Sequence, residues 1–221
     1  MLQVINSFCR YFKPPSVRTA AVFCVLGLMF ALPACLVVKR EIAPLPERSS
    51  DLSPRAGIAM SDEIVYSELG DMVVRLPQDW FFVDIGKEVS STVIAAASNS
   101  DYTLSLVFSE LRANENLIEL HQNEGLLGVA RAGFRARERK TAGAVKQLGE
   151  IELRELGARR FGIYEFSDNN GATFNLASVF KTSLNNFYEV ALVQMADFNR
   201  PVPTRDSVES IFSAVLTTVV Y

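Results

Sequence analysis

The stretch FYEVALVQM, residues 187–195, sets Phe187, Ala191, Val193 and Met195 on one side of an extended chain and Tyr188, Val190 and Leu192 on the other. Side chains along a strand alternate with a period of two, so both faces of this strand are apolar. A sheet that is apolar on both faces needs a covering layer on each, which predicts helices above and below it. Working outward, three further extended segments precede it at about 145–152, 159–166 and 172–182. Asp168-Asn169-Asn170-Gly171 and Leu184-Asn185-Asn186 separate the last three with residues that tolerate left-handed backbone, which predicts an antiparallel meander.

Before the meander the period changes. Asn114 or Asn116 can cap a helix through Leu117, Leu120, His121, Leu127, Ala130 and Phe134, and Gly125 and Gly128 predict a break near Gly125. Earlier still, 72–76, 80–83, 92–97 and 102–108 read as short strands, with Tyr102, Leu104, Leu106 and Phe108 alternating with smaller residues. After Pro201 and Pro203, Thr204 can cap a closing helix with an apolar stripe at Val208, Ile211, Phe212, Val215, Leu216 and Val219. The order predicts an α+β domain: an antiparallel sheet of about six strands covered by helices, an α/β/α sandwich over 62–221.

The first sixty residues are of another kind. Ala20–Val38 is an uncharged run, AAVFCVLGLMFALPACLVV, whose nineteen residues make a helix about 28 Å long, close to the bilayer's hydrocarbon thickness. It predicts one N-terminal transmembrane or signal helix, with residues 1–18 a cytoplasmic n-region, 19–39 the anchor or signal sequence and 40–61 a proline- and serine-rich flexible linker. Arg10, Lys13 and Arg18 before the run, against Lys39 and Arg40 after it, put the folded domain outside the cytoplasm. Leu32-Pro33-Ala34-Cys35 resembles a bacterial lipobox, in which Cys35 would be lipidated; the alternative is an uncleaved anchor in which Cys35 is one more apolar residue. Cys9, Cys24 and Cys35 all lie in or before this run, so the folded part has no disulfide and no thiolate metal site.

A strand ending in Leu76-Pro77, then Trp80, an intervening helix, a C-terminal meander and a closing amphipathic helix resemble the PsbP-like family over about 64–221. That family includes the photosystem II extrinsic subunit, a Ran-GTPase-binding import factor and DcrB-type bacterial envelope lipoproteins. Its members commonly carry Pro-x-Gly-Trp, and Asp79 stands at the glycine position here. The resemblance, with the helix order and the anchor, implies an α/β/α sandwich and a noncatalytic role in the bacterial cell envelope, of the DcrB type.

Residues 61–221 carry fifteen Lys or Arg against twenty-two Asp or Glu, a balance that repels nucleic acid. Within it Arg131, Arg135, Arg137, Arg139, Lys140 and Lys146 face only Glu138, a candidate binding patch for anionic lipid, an acidic partner or cell-wall polymer, or else a solvated helix end. Trp80 is a candidate groove aromatic or a core-closing one. His121 is the chain's only histidine and lies in an apolar stripe without a nucleophile elbow, and no catalytic residue, metal site or cofactor is expected. The expected function is a membrane-tethered extracytoplasmic binding or assembly factor, held by residues 20–38 and serving an envelope protein partner. A carboxylate-dependent envelope hydrolase and a structural subunit of a membrane complex are the alternatives.

Overall fold

The computed structural model describes residues 56–86, 91–168, 171–195 and 200–221. The apolar run at 20–38, its flanks and Cys35 lie outside the described residues. Of the helices that are described, none is long and apolar enough to cross a membrane.

Nine strands and two helices are described, in the order β1 (Met60–Tyr66), β2 (Val73–Pro77), β3 (Trp80–Val83), β4 (Val93–Asn99), β5 (Leu104–Leu111), α1 (Glu115–Lys140), β6 (Val145–Leu156), β7 (Arg159–Asp168), β8 (Asn175–Lys181), β9 (Phe187–Gln194) and α2 (Arg205–Thr218). Seven strands form one antiparallel sheet in the order β3-β4-β5-β9-β8-β7-β6, and β1-β2 is a separate hairpin. The meander over β6–β9 is as expected, and β9 returns beside β5, which joins it to the earlier strands. The expectation of about six strands is too low. The larger sheet has seven, and Met60–Tyr66, whose Asp62 and Glu63 break its apolar pattern, pairs with β2.

The two faces of β9 divide two cores. Tyr188, Val190 and Leu192 join Leu104, Leu106, Phe108, Phe180 and the α2 residues Val208, Phe212 and Val215 in one. The β1-β2 hairpin shares this face through Val65, Met72, Val74 and Leu76. Phe187 and Ala191 join Tyr164, Phe166 and the α1 residues Val129, Ala130 and Phe134 in the other. Thus one helix lies on each face, and the two-sided apolar pattern of residues 187–195 has its physical cause.

The helix ends follow local chemistry. Asn114 Oδ1 accepts from the Leu117 N–H at 2.8 Å, and Thr204 Oγ1 from the Ser207 N–H at 3.4 Å, each relieving a donor the first helical turn leaves unpaired. Gly125 breaks α1 with φ 64°, ψ −154°, where the sequence places the break. After it the helix comes close to the sheet: a Cβ on Gly162 of β7 would stand 2.7 Å from the Leu126 carbonyl oxygen.

Opposite Val83, the register runs through Ala96, Val107, Ala191, Ala177 and Tyr164 in a single row across the sheet. Helix α1 packs across the β6-β7-β8 half of that face. Among the described residues no helix packs across its β3-β4-β5 half, and the step between the two halves is a trough.

Candidate binding trough

The trough begins where α1 ends over the sheet. Val93 of β4, Val107 and Leu111 of β5, and Gly133 and Ala136 of α1 give it an apolar lining around a cleft of about 370 Å³. Two more concavities of about 320 and 410 Å³ continue it along the helix, sharing Leu111, Gly133 and Ala136 and then Leu120, Ala132 and Arg139. Small residues make the hollow. Ala132, Gly133 and, one turn on, Ala136 line it from α1, and longer side chains there would fill it.

One buried cluster sets the trough's inner wall. Glu189, on β9 beneath Gly133, is 7% exposed. Its Oε2 accepts from the Tyr164 hydroxyl at 2.6 Å and its Oε1 from the Arg137 guanidinium, whose Nε–H also reaches the Tyr164 oxygen at 3.4 Å. The guanidinium lies over the Phe166 ring, 4.6 Å from its centroid. Burial opposes the charge on Arg137, but Glu189 and Tyr164 more than restore it and hold the guanidinium above its usual range. Burial and the neighbouring carboxylate push the Tyr164 hydroxyl well above ordinary tyrosine. With both oxygens engaged and its charge matched, this carboxylate is arranged to hold α1 on the sheet.

Arg137 of the candidate patch lines the first section too, but from its place on α1 its guanidinium reaches the sheet and pairs with Glu189, which would be costly to bury alone. Arg131 pairs with Glu124. Arg135 and Arg139 are exposed on the trough's outer rim, Lys140 at its inner end, and none of the three has an ion pair among the described residues. Arg112, at the end of β5, adds a cation the patch did not include; it donates to Ser91 Oγ at 2.6 Å and lines both inner cleft sections.

Trp80 is 8% exposed and belongs to the core shared with α2, the core-closing position. His121 meets the Phe187 ring edge-on at 5.3 Å, and burial and then Lys181 lower its affinity for a proton. Asp168 closes a turn by accepting from the Gly171 and Ala172 N–H groups at 3.0 and 2.9 Å. Among the described residues no three His, Cys, Asp or Glu side chains converge as a metal site would require.

The sequence reading missed two acids. Glu189 has a signal, an acid set among apolar neighbours on both faces of a strand, which implies a buried cationic partner. Asp71 gives none, because Ser67-Glu68-Leu69-Gly70-Asp71 reads as an ordinary polar turn. In the structure its carboxylate accepts from Ser67 Oγ at 2.7 Å, Thr182 Oγ1 at 2.6 Å, Asn186 Nδ2 at 2.9 Å and Tyr188 Oη at 2.7 Å. Partial burial raises its pKa and these donors lower it, and the donors win, holding it well below the usual carboxylate range.

No family model matches the chain, and no curated protein matches it. Among solved structures it is similar to cyanobacterial PsbP (CyanoP) from Synechocystis, at 20% identity and TM-score 0.49 over 72% of this chain and 92% of that one. It is also similar to LpqN of Mycobacterium tuberculosis, described as involved in cell envelope biogenesis, at 11% identity and TM-score 0.33 over 73% and 92% of the two chains. A Bacteroides thetaiotaomicron protein matches at 12% identity and TM-score 0.33, over 71% of this chain and 47% of its own. TM-scores below 0.5 at these identities leave the topology and geometry above to carry the functional reading.

Proposed function

We propose that this chain is a membrane-tethered, extracytoplasmic, noncatalytic binding or assembly factor of the bacterial envelope, of the DcrB type, whose trough along α1 receives an anionic envelope component. The observation that carries the reading is the rim: Arg135, Arg139 and Lys140 stand exposed, without an ion pair among the described residues, around a concave apolar floor, on a domain that is otherwise acidic. A ligand of opposite charge gains there from a field the surrounding surface does not provide. The apolar run at 20–38 and its basic flank support tethering with the domain outside.

The test has two parts. A C-terminal fusion reporter should be active only outside the cytoplasm, and the full chain should fractionate with membranes. With a photocrosslinking residue at Ser109, inside the trough's first section, an anionic component should be captured by the native chain and lost when Arg135, Arg139 and Lys140 are all changed to Glu. Capture that survives this charge reversal removes the reading.

A further inference from the structure

We infer that the trough's ligand is one molecule of anionic amphiphile, its charged head at the cationic rim and its alkyl chain on the β4-β5 floor. This rests on the proposed binding role of the trough and narrows it to a ligand class.

Two features of the site argue for an apolar portion in the ligand. Val93, Val107, Leu111 and Ala136 are only half-buried in the described structure, so the floor still shows apolar surface to water. Covering such surface is favourable in proportion to area, at about 25 cal/mol per Å². A small inorganic anion cannot reach the rim and cover this floor at once. Glu189 would repel an anionic ligand if it were free, but Arg137 and the Tyr164 hydroxyl take both its oxygens. Glu110 lines the first section together with Arg112 and Lys140, and Glu124, paired with Arg131, lines the third.

Shape separates a single molecule from a bilayer. The cleft sections of about 370 and 320 Å³ are concavities of the size that accept small ligands, and their floor is recessed between α1 and the sheet. A flat membrane surface would meet exposed Arg135 and Arg139 yet leave Val93 and Val107 untouched. An acidic polymer would likewise use the rim alone.

The test uses the full chain in phosphatidylcholine nanodiscs carrying a trace of phosphatidylglycerol with a photoreactive acyl chain, the crosslinks being located by mass spectrometry. Crosslinks are expected on the segments around Val107 and Ala136, at least tenfold above those from the same acyl chain on a choline headgroup. Dodecyl phosphate should compete at concentrations at least tenfold below inorganic phosphate or polyglutamate. Ala136→Trp, and independently Leu111→Glu, should abolish the trough crosslinks while each variant keeps a cooperative thermal transition.

Equal labelling by the choline lipid, or labelling confined to residues 20–38, overturns the inference. Competition by phosphate or polyglutamate as strong as by dodecyl phosphate also overturns it, while leaving an anion-binding trough in place. Indifference of all anion capture to charge reversal at Arg135, Arg139 and Lys140 would instead remove the broader reading on which it rests.

Discussion

Arg137 and Arg139 are two positions apart on one helix and do opposite work. The first is folded inward against Glu189 and Tyr164, and the second stands in water on the trough's rim. Arg137→Ala should cost about 3 kcal/mol, because it strands a buried carboxylate. Arg139→Ala should cost under about 1 kcal/mol, the worth of a cation near a helix C-terminus. Urea unfolding of the two variants checks the contrast, and equal losses would mean the inner pair is not what holds α1 down. At Gly162 the constraint is space alone. A methyl group there meets the Leu126 carbonyl at 2.7 Å, so Gly162→Ala should destabilise by about 1–3 kcal/mol as helix and sheet are forced apart. The composition of the basic stretch reveals its charge but not which arginine turns inward, since that depends on how α1 is rotated over β9.

At the scale of elements, α1 ends in a Schellman arrangement: the Gly143 N–H donates to the Glu138 carbonyl at 2.9 Å and the Ala142 N–H to that of Arg139 at 3.2 Å. The left-handed position within it belongs to Ala142, at φ 51°. Ala142→Gly removes the Cβ penalty and should stabilise the domain by about 1 kcal/mol, read as a raised thermal midpoint. The β1-β2 hairpin depends on Asp71, whose donors Thr182, Asn186 and Tyr188 come from the β8-β9 turn and strand. Because folding depresses this pKa, the stability it supplies is full above the unfolded value of about 3.9 and drains away as pH falls below that. Asp71→Asn should therefore be less stable than the native chain at pH 7 and lose less on going from pH 5 to pH 2, followed by near-ultraviolet circular dichroism. An unchanged acid profile would exclude Asp71 as the group concerned. The meander, the helix break at Gly125 and both N-caps were legible because each rests on neighbours in the chain. The hairpin's attachment was not, because its donors lie more than a hundred residues from Asp71.

For the whole molecule, the alternation along residues 187–195 was enough to imply a covered sheet, but not that α1 covers only half of its own face. That asymmetry creates the trough, and it comes from strand order, which joins β5 to β9 across the intervening α1 and meander. The sheet's outer edges are β3, four residues long, and β6, twelve residues long with Gly149 at φ 66° within its register shift. Exposed Lys146, Glu150, Glu152 and Glu155 further guard β6 against pairing with other chains. Replacing Glu150, Glu152 and Glu155 together by Val should give association through this edge that rises with concentration in light scattering, beyond that of the native chain measured alongside.

One contact made by α2's tail bears on how the domain can be rewired. Val220 bridges Val73, whose other neighbour is Tyr66, so the last described residues run alongside the hairpin that opens the fold. From Tyr66 back to Met60 is a strand of about 20 Å at 3.3 Å per residue. A spacer of about eight residues can bridge that distance and fuse the two ends. A circular permutant so joined, and reopened at the Gly171 turn, should recover the same topology, because adjacency in space and not order of synthesis would seat the hairpin.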